Sequence, residues 1–163
     1  MFIGMPTCGK STIARMLSDS LDIPFVDIDS EIIAKEGCAI TTIFKEHGEA
    51  YFRQVEHDIT KALSQKNHQI IATGGGIIKD KRNIDYLKQN GIIIFIDRDV
   101  ELLQNDETRP LSSTKEQVLK LYEERYPLYS TYADYIIKNN DDINHTLDLI
   151  KEKLYEVTSN SRT

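Results

Sequence analysis

The sequence predicts an α/β protein in which helices cover both faces of a parallel sheet. Short apolar runs alternate with helical patterns along the 163 residues, an order typical of parallel sheets. Near the start, Gly4–Thr12 reads GMPTCGKST, and the pattern that follows it places a helix directly after a glycine-rich loop. The alternation and the loop together favour a three-layer α/β architecture.

Gly4–Thr12 fits the phosphate-binding loop pattern G-x-x-x-x-G-K-[ST]. In such loops backbone N–H groups surround the phosphates, the lysine reaches the outer phosphates and the hydroxyl binds Mg²⁺. We therefore expect bound nucleotide phosphates here, with Lys10 near the reacting phosphate and Ser11 at a metal ion. The predicted nucleotide-binding residues are Gly4, Pro6, Thr7, Cys8, Gly9, Lys10, Ser11 and Thr12.

Two carboxylates follow the apolar run Ile23–Val26, which reads as a strand. Asp27 and Asp29 are two residues apart, so in an extended segment they point to the same face. Because parallel sheets bind ligands outside the carboxyl ends of their strands, both should face the ligand of the phosphate loop. One could help hold Mg²⁺ and the other could accept a hydroxyl hydrogen bond. The alternative is that Asp29 caps the next helix.

Two helices are predicted next, over Ile40–His47 and about Glu49–Gln65, with Gly48 ending the first. Arg53 and Glu56 lie three residues apart in the second helix. On local evidence alone, an ordinary surface ion pair is the preferred interpretation of these two residues.

A buried strand over Gln69–Thr73 runs directly into Gly74, Gly75 and Gly76. Glycines in series bury no side chain and cost conformational entropy, so they indicate that the backbone approaches something closely. A plain loop is the alternative. Further elements are predicted as helices over Asp80–Asn90 and Asp142–Val157 and as strands over Ile92–Ile96 and Tyr135–Ile137.

The polar stretch from Asp97 to Lys115 has the composition of a mobile lid over phosphates, with the lid itself predicted over about residues 104–115. Arg109 within it is a cation suited to stabilising developing charge, whereas a solvated loop with an idle arginine is the alternative. The helix that follows, about Thr114–Tyr126, should be interrupted at Pro127.

Composition narrows the functional classes. There are 20 basic and 26 acidic residues, a net charge of −6, which argues against general nucleic-acid binding. No apolar run approaches the ~18 residues of a membrane span. Two cysteines are too few for a disulfide framework, so we expect a cytoplasmic protein. We also expect a monomer with one domain over residues 1–163.

A phosphate loop, two aspartates at a strand end, a triple glycine and an arginine-bearing lid are together typical of a phosphotransferase. Six segments in order resemble the shikimate kinase family over nearly the whole chain: GMPTCGKST, VDIDSEI, FKEHGEAYFRQVE, ATGGG, TRPL and ERYPLYSTYAD. The resemblance implies a nucleoside-monophosphate-kinase-like P-loop fold with a five-stranded parallel sheet, flanking helices and a lid segment. It also implies phosphorylation of the 3-hydroxyl of shikimate by ATP and Mg²⁺ in aromatic amino acid biosynthesis.

The resemblance further implies roles for single residues. Arg53 and Arg125 would clamp the shikimate carboxylate, which suits bidentate, permanently charged donors. Asp29 would orient or deprotonate the attacking hydroxyl. The implied substrate-binding residues are Asp29, Phe44, Phe52, Arg53, Gly74, Gly75, Gly76 and Arg125, with substrate-binding helices over about residues 30–60. The implied catalytic residues are Lys10, Asp29 and Arg109, Arg109 also contacting the nucleotide, and Ser11 and Asp27 would hold the metal.

Two other functions stay open at this point. The first is another kinase of the same fold, acting on gluconate or a nucleoside monophosphate; the arginine pair favours an acid substrate over a neutral sugar. The second is a P-loop domain that binds nucleotide without catalysis, against which the intact Lys10, Ser11, Asp27, Asp29 and Arg109 argue.

Overall fold

A five-stranded parallel sheet forms the centre of the computed structural model, which describes residues 1–106, 108 and 110–160. The strands are β1 (Phe2–Ile3), β2 (Phe25–Asp27), β3 (Ile70–Ala72), β4 (Ile94–Asp97) and β5 (Tyr135–Lys138). Their spatial order is β2-β3-β1-β4-β5, and every neighbouring pair is parallel. The predicted α/β architecture is confirmed.

Helices connect the strands, as parallel pairing requires. They are α1 (Lys10–Leu21), α2 (Ile28–Glu36), α3 (Ile40–Ser64), α4 (Lys81–Gln89), α5 (Lys115–Tyr132) and α6 (Ile143–Asn160), with 3₁₀ turns at Ile77–Lys79 and Val100–Leu102. Within the described part of the chain, no helix combines the length and apolarity that a membrane crossing needs.

β1 is short but central. Phe2 and Ile3 are almost completely buried and pair with β3 on one side and β4 on the other. Because the carboxyl ends of parallel strands meet at one edge of a sheet, the chain leaving β1, β2 and β3 converges there. This edge therefore gathers the phosphate loop, the two aspartates and the triple glycine.

The helix after β2 begins earlier than the sequence predicts. α2 starts at Ile28, and the carboxylate of Asp27 caps it by accepting a hydrogen bond from the backbone N–H of Ser30 at 3.2 Å. Asp29 therefore lies in the first helical turn rather than on an extended segment. The prediction of two same-face strand residues and the alternative of a cap at Asp29 are both wrong.

Two predicted helix interruptions have different outcomes. Gly48 has φ 82° and ψ 173° and breaks the helical path of α3, as predicted. The predicted interruption at Pro127 is not found, because α5 continues through this residue to Tyr132. The proline removes one backbone hydrogen bond on the exposed side, while a buried face that includes Arg125 and Tyr129 holds the helix in place.

Candidate active site

One cleft at the sheet edge is lined by the phosphate loop. Its lining residues are Thr7, Gly9, Lys10, Ser11, Thr12, Thr73 and Asp106. The other loop residues predicted to bind nucleotide lie elsewhere: Cys8 is fully buried, and Pro6 lines a neighbouring pocket. Gly4 has φ +147°, and a Cβ there would lie 2.6 Å from the Ile96 carbonyl oxygen. Gly4, Pro6 and Cys8 therefore support the conformation of the loop rather than line the phosphate cleft.

Lys10 is the first residue of α1 and is largely buried. Its Nζ donates hydrogen bonds to the carbonyls of Gly4 at 2.9 Å and Met5 at 2.7 Å. The ammonium and the positive end of α1 are therefore directed at the same loop. Both favour an anion.

Ser11 and Asp27, the two predicted metal ligands, are in contact. The Ser11 hydroxyl donates to Asp27 Oδ2 at 2.6 Å. Among the described residues there is no cluster of three or more histidine, cysteine or acidic side chains that could hold a metal alone. Mg²⁺ typically takes one or two protein oxygens together with substrate phosphates, so this pair fits Mg²⁺.

A second pocket adjoins the cleft, and it is called the acceptor pocket below. It collects all residues predicted for substrate binding: Asp29, Phe44, Phe52, Arg53, Gly74, Gly75, Gly76 and Arg125. Its lining also includes Pro6, Ile40, Glu56, Pro110, Leu111, Ser112 and Leu121. The apolar members of this second set have helical or loop positions typical of any core, which is why the sequence alone does not single them out.

Arg53 is held by two carboxylates on its own helix. Its Nη1 donates to Glu56 Oε2 at 2.7 Å, and its Nε donates to Glu49 Oε1 at 3.2 Å. The Arg53 guanidinium carbon also lies 5.0 Å from the centre of the Phe52 ring. Glu56 is 0% exposed, so the interpretation as a surface ion pair is wrong. The pair forms, but inside the acceptor pocket.

Burial dominates the electrostatics of Glu56. Desolvation raises the pKa of its carboxyl from 4.5 to about 7, although the nearby Arg53 guanidinium pulls in the opposite direction. The negative charge of Asp29 adds to the increase, and Arg125 opposes it. Glu56 therefore titrates near neutral pH.

The triple glycine lies against three side chains of the site. A Cβ at Gly74 would come 2.8 Å from Asp29 Oδ1, and one at Gly75 would come 2.8 Å from Pro6 Cδ. A Cβ at Gly76 would collide with the guanidinium of Arg53. The predicted close approach of backbone is confirmed, and the plain loop is excluded.

Tyr129 is a residue of the site that the sequence analysis did not assign. It is fully buried on α5, and its hydroxyl donates a hydrogen bond to the carbonyl of Gly75. Burial raises the pKa of the Tyr129 hydroxyl, although the positive charge of Arg125 acts in the opposite direction. Arg125 lies on the same helix, lines the acceptor pocket with the triple glycine and is itself only 5% exposed. The sequence feature that points to Tyr129 is its place in the ERYPLYSTYAD segment, four residues after Arg125.

The predicted lid segment, residues 104–115, reaches both pockets. Asp106 lines the phosphate cleft, whereas Pro110, Leu111 and Ser112 line the acceptor pocket. Arg109, the predicted catalytic cation of this segment, lies outside the described residues.

A phosphate loop beside a pocket that presents two arginines and a carboxylate defines a P-loop protein of the phosphotransferase class. The family model for shikimate kinase matches residues 6–157. A shikimate kinase of Clostridium beijerinckii is 46% identical over 160 residues, covering 96% of this chain and 94% of that protein. The chain belongs to the shikimate kinase family.

Solved structures agree with this assignment. Shikimate kinase from Acinetobacter baumannii in complex with shikimate superposes with a TM-score of 0.87 at 34% identity, covering 98% of this chain and 92% of that one. The Aquifex aeolicus shikimate kinase gives a TM-score of 0.81 at 36% identity, covering 99% and 98%.

The hydroxyl of Tyr129 can be tested by removal. Tyr129→Phe keeps the ring that packs 5.1 Å from Phe95 but leaves the buried Gly75 carbonyl without this donor. We expect the free energy of unfolding, measured in urea, to fall by about 1–3 kcal/mol. Tyr126→Phe is the matched control, since Tyr126 also contacts Phe95 but makes only a 3.4 Å hydrogen bond to Asp97. Equal losses in both variants would contradict the prediction.

Glu56 should make stability depend on pH. Its pKa is raised to about 7 in the folded protein, so the folded state holds a proton that the unfolded state releases above pH 4.5. The contribution of protonated Glu56 to the free energy of unfolding is complete below pH 4.5 and is lost as the pH rises to 7. The free energy of unfolding of the wild type relative to Glu56→Gln should therefore fall across that range.

Glu49→Gln is the control of opposite sign for this measurement. The hydrogen bond from Lys79 lowers the pKa of Glu49, so its contribution is present above 4.5 and is lost as the pH falls. Parallel stability curves for the wild type and Glu56→Gln between pH 4.5 and 7 would refute the assignment to Glu56.

Proposed function

We propose that the chain transfers the γ-phosphoryl group of ATP to the 3-hydroxyl of shikimate. The observation that carries this proposal is a single pocket holding Arg53, Arg125 and Asp29 beside the phosphate loop. Membership of the shikimate kinase family supports it, as does the likeness to a relative solved with shikimate.

Arg53 and Arg125 are proposed to bind the shikimate carboxylate. Both guanidinium groups line the acceptor pocket, and both are largely shielded from water. Charge-assisted hydrogen bonds from a planar guanidinium to a carboxylate can be bidentate, which orients the acid as well as holding it. Phe44 and Phe52, whose ring centres are 4.8 Å apart, provide an apolar wall for the cyclohexene ring.

Asp29 is proposed as the residue that orients and deprotonates the attacking hydroxyl. It takes up the proton of the 3-hydroxyl while that oxygen bonds to the γ-phosphorus. The bond from the γ-phosphorus to the bridging oxygen breaks in the same in-line step, and ADP leaves with the negative charge on that oxygen. The N–H groups of Gly75 and Gly76 are proposed to hold neighbouring oxygens of shikimate.

Cations at the phosphate loop are proposed to stabilise the negative charge of the phosphoryl group during its transfer. Lys10 would exchange its loop carbonyl contacts for phosphate oxygens, and Arg109 keeps its role as a prediction from the sequence. Ser11 and Asp27 would hold Mg²⁺, which when bound neutralises phosphate charge. The proposal extends to a single domain acting as a cytoplasmic monomer, without nucleic-acid binding, in aromatic amino acid biosynthesis.

The direct test is ATP consumption by the purified protein with Mg²⁺, with and without shikimate. Gluconate and nucleoside monophosphates serve as alternative acceptors. We expect stimulation by shikimate and not by the others. Stimulation by another acceptor would identify a different substrate for the same class of reaction. An absence of ATP consumption with every acceptor would favour a non-catalytic nucleotide-binding domain.

The carboxylate assignment makes a selective prediction for Arg53→Ala. We expect the KM for shikimate to rise roughly ten- to a hundredfold, the range of a lost charged hydrogen bond, with little change in the KM for ATP. Arg53→Lys should recover little, because lysine cannot form the bidentate contact. Arg82→Ala, at an exposed arginine paired with Asp80, is the control. Equal losses for both substrates would undo the assignment.

A further inference from the structure

Thr7 has a backbone conformation that its residue type rarely adopts. Its φ is +63°, in the left-handed region, and threonine is branched at Cβ. Such a conformation crowds the side chain against the backbone, so it persists only where surrounding contacts hold it. The position lies inside the phosphate loop and lines the phosphate cleft.

The Thr7 hydroxyl makes two contacts across 97 residues of sequence. Oγ1 donates to the carbonyl of Gln104 at 3.0 Å and accepts from the backbone N–H of the same residue at 3.0 Å. Both backbone polar groups of Gln104 are thereby held by a single side chain. Glycine, which would adopt this φ without strain, could form neither contact.

Gln104 is the first residue of the lid segment, and the following residues tie the two ends of that segment together. The N–H of Asp106 donates to the Ser112 carbonyl at 2.8 Å, and the side chain of Asn105 donates to the Ser113 carbonyl at 3.0 Å. These contacts form a stem next to Gln104. A displacement of Gln104 is therefore passed to both ends of the segment.

We propose that Thr7 is a positioning residue that couples the nucleotide to the acceptor through this hydroxyl. The phosphate loop holds Gln104, and the stem passes that position to Pro110, Leu111 and Ser112, which line the acceptor pocket. Nucleotide bound at the loop stabilises the placement of the lid segment, and the acceptor beneath that segment binds more tightly. By linkage the effect is reciprocal. The identity of the acceptor rests on the function proposed above.

Two substitutions separate the hydroxyl from the shape of the residue. Thr7→Val keeps the β-branched side chain and its strain but removes both hydrogen bonds. Thr7→Ser keeps the hydroxyl and is the matched control. Hydrogen exchange of residues 104–115 is measured by mass spectrometry, with and without a non-hydrolysable ATP analogue.

The wild type and Thr7→Ser should show slow exchange that the analogue slows further. Thr7→Val should exchange roughly tenfold faster, as expected for two lost hydrogen bonds, and should respond less to the analogue. Unchanged exchange in Thr7→Val would overturn the proposal. This measurement involves no acceptor, so it does not depend on shikimate.

Calorimetric titration with shikimate completes the test. The ratio of shikimate affinities with and without the analogue should exceed one in the wild type and in Thr7→Ser and approach one in Thr7→Val. Shikimate binding with the same ratio in all three proteins would overturn the coupling. If shikimate fails to bind the wild type while the exchange results hold, the proposed substrate is wrong and the contact between loop and lid stands.

Discussion

The close approach between the phosphate loop and the triple glycine determines the geometry of the whole site. Gly75 lies so near Pro6 that an added Cβ would be 2.8 Å from its Cδ. The sheet order makes this approach possible, because β1 and β3 are neighbours and their following loops leave the same edge. Because Gly75 has no side chain to separate it from Pro6, the phosphate cleft and the acceptor pocket adjoin. Phosphoryl transfer relies mainly on such placement.

The Arg53–Glu56 pair is better explained by orientation than by stability. Removing two charges from water is costly, and buried ion pairs often contribute little net free energy of folding. Here Glu56 and Glu49 bind different nitrogens of one guanidinium, which restricts its rotation. Side-chain conformational freedom that would otherwise be lost on ligand binding is already lost in the folded protein. A preorganised arginine binds a small acid more tightly than a mobile one.

The predictability of each feature follows from the range of the interactions that determine it. The phosphate loop is predicted from sequence because its chemistry needs particular residues in consecutive positions. The spacing of Arg53 and Glu56 fits a surface ion pair and a buried one equally well, because burial is decided by tertiary packing. Only the resemblance to the family indicates their role. Helix rules fail at Pro127 because the buried face of α5 outweighs one lost hydrogen bond.

Contacts between distant residues set a second limit on prediction. The conformation of Thr7 depends on a partner 97 residues away, and Tyr129 meets Gly75 across 54 residues. No periodicity or motif rule contains either contact. The observed positions of Asp27 and Asp29 differ from the predicted ones for a local reason. Asp27 caps α2, so the helix begins at Ile28 and Asp29 lies in its first turn, next to Gly74. Element types are therefore predicted more reliably than the side chains that adjoin them.

Local charge, rather than net charge, decides how this acidic chain can hold anionic ligands. The net charge is −6, yet screening limits the reach of exposed charges to about 8 Å at physiological ionic strength. Arg53 and Arg125 are shielded from solvent, so their field inside the acceptor pocket is weakened far less. Glu56 opposes that field only when ionised, and burial keeps its pKa near 7. The pocket is therefore most cationic when Glu56 is protonated, and an added carboxylate would further favour that proton.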